Sequence, residues 1–140
     1  MLLSHTCQVA LKAVLYIATQ SRSVTVKELS QTINESTHTI AKVLQSLVKQ
    51  GQLTSITGPA GGFFITEEQS KNSILEIIKS VDGKDVLEKC VLGLKQCSSQ
   101  HPCPVHAKFV FLREEITNIF EKTTITNIGQ VLEKGNVFLN

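Results

Sequence analysis

Between Thr25 and Gly51 the chain carries two helix starts and one stop in close succession, and this stretch constrains the fold more than any other. Thr25 and Glu28 stand three apart, the spacing of a capping box, and Val26, Leu29 and Ile33 then supply an apolar stripe for a helix of about nine residues. Asn34 and Glu35 form a tight connection to Ser36, a good N-cap. Beyond it Ile40, Val43, Leu44, Leu47 and Val48 recur at i, i+3, i+4, i+7 and i+8. Gly51 ends this helix in the position where a left-handed residue is favoured. Helix, short turn and helix, with an apolar inner face and a polar leading edge, is the layout of a helix-turn-helix.

The flanking segments extend this unit. Val9, Ala13, Leu15 and Ala18, with Leu11 and Val14, predict a helix over about 5–20. Gln8 and Lys12 break the apolar run of a signal peptide, and no segment approaches the ~18 apolar residues of a membrane span, so a soluble cytoplasmic protein without membrane contact is expected. After Gly51, Leu53–Ile56 and Phe63–Thr66 read as two short strands around Thr57-Gly58-Pro59-Ala60-Gly61-Gly62, a hairpin with an exposed tip, or wing. Ser73 and Glu76 predict a further capped helix that buries Ile74, Ile77, Ile78 and Val81 and ends near Asp82-Gly83. Residues 84–106 are irregular. Phe109, Leu112, Ile116, Ile119 and Phe120 mark a long amphipathic helix over 107–121, and 126–132 a short one. The fold class is therefore mainly α with a small β-hairpin wing: a winged helix-turn-helix in 1–83, a cysteine-rich loop in 84–106, and a long C-terminal helix with a short one after it in 107–140.

The charge is uneven. Residues 1–66 hold five Lys/Arg against two Asp/Glu, and residues 67–140 hold nine against ten, so the N-terminal half is the better surface for a polyanion. In a helix-turn-helix the second helix presents its N-terminal residues to base edges. Here these are Ser36, Thr37, His38 and Thr39, with Lys42 one turn on: hydroxyls and an imidazole for bases or phosphates, and a cation for phosphate. The wing tip has no Arg or Lys, and its glycines would let backbone N–H groups approach a phosphate. A winged helix used for protein contacts is the other reading. An enzyme is not expected: no Ser/His/Asp set or facing carboxylate pair is visible, and Gly58, Gly61 and Gly62 lie between strands rather than before a helix.

CVLGLKQCSSQHPCPVH, residues 90–106, gathers Cys90, Cys97, Cys103, His101 and His106 in the spacing C-x6-C-x5-C-x2-H. Structural zinc sites pair ligands on a tighter knuckle, and only Cys103 to His106 has that closeness. Several soft thiolates on a longer loop suit an iron–sulfur cluster, which tolerates histidine at one iron. Three thiols on one loop could also cycle through a disulfide. By spacing alone, cluster, zinc site and thiol switch stay in competition. His101, beside Pro102, reads as a solvated loop residue.

The order of LKAVLYIA, KVLQSLVKQG, the wing SITGPAGGFFI, CVLGLKQC and PCPVH before a long helix resembles the Rrf-two family of winged-helix transcriptional regulators across essentially the whole chain. The resemblance implies a homodimer packed through the helix at 107–121. It implies binding to a pseudo-palindrome in double-stranded promoter DNA, with repression the expected outcome, and a 2Fe-2S or 4Fe-4S cluster that senses iron, nitric oxide or redox state and is readily lost in air. By position, Cys90, Cys97 and Cys103 match the cluster cysteines, and His106 the histidine ligand of the IscR type. The reading edge Ser36, Thr37, His38, Thr39 and Lys42 and the wing residues Thr57, Gly58, Pro59 and Gly61 fall on the DNA-binding positions.

Departures sharpen these expectations. The first cysteine gap is one residue longer than in the IscR type. In NsrR-like members the fourth ligand is an acidic residue on the partner's first helix; the matching position is Gln8, a poor ligand, so His106 is preferred. Neighbouring Cys7 reads as a small buried helix residue rather than a swapped ligand or redox thiol. Thr57 and Thr39 replace an Arg and a Tyr of the IscR type, which predicts a different operator. Some members have lost the cluster, so a cluster-free family regulator stands beside a zinc or thiol-redox interaction module as the alternative.

Overall fold

A computed structural model describes residues 3–139. Helix α1, His5–Thr19, is the central post. Its N-cap Ser4 accepts from the Cys7 amide, and Cys7, Val9, Ala10, Ala13, Val14, Leu15 and Ile17 are all buried. The helices α2 (Val26–Ile33), α3 (Thr37–Lys49), α5 (Ile74–Asp82) and α7 (Ile125–Glu133) pack against α1, so one core joins the two ends of the chain. Its largest enclosed side chains include Ile17, Leu29, Ile40, Leu44, Leu47 and Leu53; each such burial contributes roughly 1.5–3 kcal/mol.

The helix-turn-helix forms for the reasons its sequence suggests. Thr25 and Ser36 are the N-caps of α2 and α3 and accept from the amides of Glu28 and Thr39. Asn34 closes α2 in the left-handed region, where its short polar side chain is tolerated, and Gly51 does the same after α3. The capping box expected at Thr25 is only half made. Instead of turning back to the Thr25 amide, the Glu28 carboxylate accepts from Tyr16 Oη at 2.8 Å and from Arg22 Nη2 and Nη1, at 2.6 and 2.8 Å. The charge-assisted pair outcompetes the cap and ties the α1–α2 loop to α2. At Ser73 the same half-box holds, with Ser73 accepting from the Glu76 amide.

The wing is shorter than its apolar segments. Strands β1 (Thr54–Ile56) and β2 (Gly62–Phe64) pair antiparallel, with Ser55 opposite Phe63. Phe63 also exchanges two 2.8 Å backbone hydrogen bonds with Val24, so the α1–α2 loop adds a third edge to the hairpin. This close approach requires glycine: a Cβ on Gly62 would lie 2.7 Å from the Val24 carbonyl oxygen. A four-residue helix absent from the sequence reading, α4 (Glu67–Ser70), follows β2 behind a complete Thr66/Gln69 capping box. Its shortness explains why no periodicity announces it.

Helix α5 is capped by Ser73 and buries Ile74, Leu75, Ile77 and Ile78, with Val81 only half-buried. Backbone bonds from Ile74 to Thr123 and from Ile125 to Asn72 fix the junction of α6 (His106–Lys122) with α7 against the start of α5. The long helix α6 is otherwise unlike the rest. It has no buried residue, and Phe111, Leu112 and Ile119 are 66%, 49% and 61% exposed.

Candidate metal centre and nucleic-acid interface

Residues 83–105 leave the end of α5 and return to the start of α6. Leu87 is buried, Val86 packs near Ile78, and Arg113 of α6 donates to the Glu88 carbonyl at 2.6 Å; these fix the near end of the loop. Two local turns then shape the far end. Gly93, with φ 72°, donates to the Cys90 carbonyl, and His106 donates its amide to the Cys103 carbonyl. The second turn sets Cys103 and His106 on one side of the loop, and His106 is the first residue of α6 rather than a loop residue.

These turns bring the predicted ligands together. The sulfurs of Cys90, Cys97 and Cys103 all lie within 4.8 Å of one another, Cys90 and Cys103 at 3.8 Å. Cys97 Sγ is 3.1 Å from His106 Nδ1. All three cysteines are half-buried and none is in a disulfide. Hydrogen bonding from the Leu94 backbone, then from Leu92, pulls the Cys90 thiol down to about 7, against the opposing effect of burial. Cys97 is drawn down by the Cys103 backbone, but desolvation and the two neighbouring thiols together leave it above the ordinary range. His101 stays outside this group: it is exposed and bonded within the loop to Ser98. Three soft donors within 4.8 Å of one another, with an imidazole nitrogen beside one of them, suit a bound metal ion or iron–sulfur cluster.

Cys7 is elsewhere. It is fully buried with Ile74 and Ile78, and burial, with Asp82 adding, pushes its thiol up to about 12, the condition of an inert core cysteine. Gln8 donates to the Leu3 carbonyl at 3.3 Å.

The reading edge is divided in its tasks. Ser36 Oγ accepts the Thr39 amide and donates to Thr39 Oγ1 at 2.8 Å, so both hydroxyls are engaged in starting α3. Thr37, His38 and Lys42 are exposed, as are Thr57, Gly58 and Pro59 at the wing tip, while Gly61 is half-buried and donates to the Gly58 carbonyl. Between α3 and the wing runs an open groove of about 810 Å³ whose lining includes Lys42, Gln45, Ser46, Lys49, Thr57 and Gly58. Gln45 and Lys49 escaped the sequence reading. Their spacing from Lys42, i+3 and i+7, was the available signal, because it places all three on one face. Among the described residues neither lysine is in an ion pair, which leaves two cations for phosphates.

A capped helix-turn-helix with a wing, joined to a compact thiol site, defines a winged-helix DNA-binding regulator. The sequence pattern of the Rrf2 family, described as an iron-dependent transcriptional regulator, matches residues 3–130, and the chain belongs to that family. A putative HTH-type transcriptional regulator of Aquifex aeolicus is 34% identical over 137 residues, covering 96% of this chain and 95% of that protein. The regulator IscR of Klebsiella pneumoniae is 26% identical, over 83% of this chain and 72% of its own. Among solved structures, CymR, the global cysteine regulator of B. subtilis, superposes with a TM-score of 0.75 at 19% identity over 92% of this chain and 96% of its own. IscR of T. potens gives 0.75 at 17% identity over 97% and 91%. These likenesses establish an Rrf2-type winged-helix fold and a transcriptional regulator rather than an enzyme. Among the described residues no helix is long and apolar enough to cross a membrane.

Proposed function

We propose that this regulator is a cytoplasmic homodimer that binds a pseudo-palindromic promoter as a repressor and senses iron, nitric oxide or redox state through an iron–sulfur cluster held by Cys90, Cys97, Cys103 and His106. The convergence of three sulfurs within 4.8 Å, with an imidazole nitrogen 3.1 Å from one of them, carries this reading. The donor set fits, because thiolates are the usual cluster ligands and histidine is accepted at one iron. When bound, such a group supplies reversible electron and small-molecule chemistry.

The remaining steps belong to the chain. With the group bound, Cys90, Cys97 and Cys103 as thiolates and His106 through a ring nitrogen would hold the loop 84–106 against the start of α6. The exposed apolar residues Phe111, Leu112 and Ile119 give α6 a face for a second copy, which supports its role as the dimer helix. Ser36 and Thr39 fix the entry of α3, where Thr37 and His38 meet base edges, and Lys42, Thr57, Gly58, Pro59 and Gly61 meet the backbone. Residues 1–83, 84–106 and 107–140 then act as reader, sensor and dimer helix, the short α7 returning to the core. A change in the loop alters DNA affinity only by what it contributes differently to the two states of the dimer.

Two contacts supply a path between sensor and reader. Asp82, at the end of α5, accepts from the amide of Ser4 at 2.9 Å and from its hydroxyl; the next residue, His5, pairs with Glu35 at 2.8 Å, immediately before the Ser36 cap.

Anaerobic purification with a visible absorption spectrum tests the cluster. Brown, sulfide-containing protein that loses its colour in the Cys97→Ser variant is expected, and iron-free protein that resists reconstitution sinks the reading. DNA affinity that differs between loaded and stripped dimer is the companion result; equal affinity removes the sensing role.

A further inference from the structure

The spacing of the sulfurs is more informative than their number. In a tetrahedral site with metal–sulfur bonds of about 2.3 Å, two ligand sulfurs stand about 3.8 Å apart. Cys90 and Cys103 stand at that separation, and Cys97 lies within 4.8 Å of both. Two cysteines on one iron of a two-iron cluster stand at that same separation, so the Cys90–Cys103 pair fits either occupant; the third sulfur within 4.8 Å of both is what a single ion uses. The fourth donor, His106 Nδ1, is already beside Cys97 Sγ. His106 opens α6, and its amide bond to Cys103 fixes the turn between the two, so this half of the site is held by the helix start and not by the metal.

We propose that this four-residue site also binds a single soft divalent cation of the zinc class, with Cys90, Cys97, Cys103 and His106 as a closed tetrahedral set, and that this form competes with cluster assembly. Binding moves no electrons. Each thiol gives its proton to solvent as its sulfur bonds the ion, the imidazole binds in its neutral form, and no inorganic sulfide is needed. Three thiolates and a histidine are a known structural zinc combination, and a closed site leaves no position for substrate. The ion orders the loop but takes up no electron and offers no iron for nitric oxide to bind, so it holds the regulator in a form without the cluster's response. Binding of the ion stands without the cluster reading; the competition between the two forms rests on it.

Chelator-stripped full-length protein, kept anaerobic and titrated with Co²⁺ as an optical probe for Zn²⁺, provides the test. One equivalent per chain, with the intense visible bands of a tetrahedral ion and a thiolate-to-cobalt band in the near ultraviolet, is expected, and Zn²⁺ should bleach both. Cys90→Ser, Cys97→Ser and Cys103→Ser should each weaken binding by more than the 10–100-fold that follows from disturbing an outer-shell partner, and His106→Ala should keep the charge-transfer band while shifting the visible ones. Circular dichroism of each variant separates loss of ligand from loss of fold. Weak absorption typical of a six-coordinate ion, or binding indifferent to Cys97→Ser, overturns the proposal. A parallel sample given iron and sulfide keeps the two readings apart: cobalt uptake without cluster formation counts against the cluster, and cluster formation without tetrahedral cobalt counts against the single ion.

Discussion

The reader and the sensor are built on opposite principles. From Ser4 to Asp82 every helix starts on a side-chain cap and all but the short α4 bury apolar residues, and α1 is enclosed by its neighbours. From Gly83 to Lys122 the chain is long and exposed: Val91, Leu92 and Leu94 are each more than half exposed, and α6 has Val105 at its N-cap, with no side-chain capping bond, and buries no residue. The first region carries its own folding energy. On the proposed reading the second completes its order only with metal on the loop and a second copy on α6.

The comparison breaks most sharply under truncation. Leu44→Ala in α3 should cost about 2–5 kcal/mol in urea unfolding, the range for a large core side chain. Phe111→Ala in α6 should cost under about 0.5 kcal/mol in the isolated chain while shifting a sedimentation profile toward monomer. Equal losses of stability would mean that α6 belongs to the core after all.

Metal sharpens the contrast. At a hundredfold excess over its dissociation constant a bound ion contributes about 2.7 kcal/mol, and hydrogen exchange should show that protection appearing across 84–106 before it reaches α2 and α3. Uniform protection would deny the loop its separate character. Within the reader, Gly62→Ala should cost about 1–3 kcal/mol, because the added carbon meets the Val24 backbone; a neutral result would show that the wing bends away freely.

A smaller effect follows from the Arg22–Glu28–Tyr16 group. Hydrogen bonding from Arg22, then from Tyr16, holds the Glu28 carboxyl down at about 2, below its unfolded value near 4.5. The stability it contributes is therefore complete above about pH 4.5 and lost as pH falls toward 2. Solvent screening limits it to about 1 kcal/mol, and Glu28→Gln should flatten that part of the acid titration. Smallest of all, Lys42→Ala or Lys49→Ala should each lower the slope of log DNA affinity against log salt by about 1 without changing sequence preference. A changed preference would move that lysine from phosphate to base.

Much of this was legible in the residues, for physical reasons. Caps and periodicity are local, so Thr25, Ser36, Ser73 and Gly51 announce their helices within a turn, and the run from Ile40 to Val48 announces its buried face. The cysteine spacing named the candidate donors but not their closeness, because the 3.8 Å approach of Cys90 and Cys103 depends on two turns and on where α6 begins. The Glu28 carboxylate was misjudged as a cap because its competitor, Arg22, lies outside the helix. The edge contact between Val24 and Phe63 could not be foreseen at all, since it joins residues far apart in the chain through backbone atoms that carry no sequence signal.

That edge contact has a consequence for how the molecule can be regulated. With Phe63 clasped to Val24 by two hydrogen bonds, and Arg22 anchoring the same loop to α2, the wing is tied to α2, which in turn packs on the reading helix α3, and the three form one connected piece. A hinge at the wing would have to tear that clasp. In the proposed dimer, two such pieces carried on paired long helices would behave like the jaws of a caliper: their shape would be constant, and what a signal could adjust is the gap and tilt between them. Control of this kind would be recorded in the operator as a tolerance for half-site spacing, with the letters of each half-site unchanged.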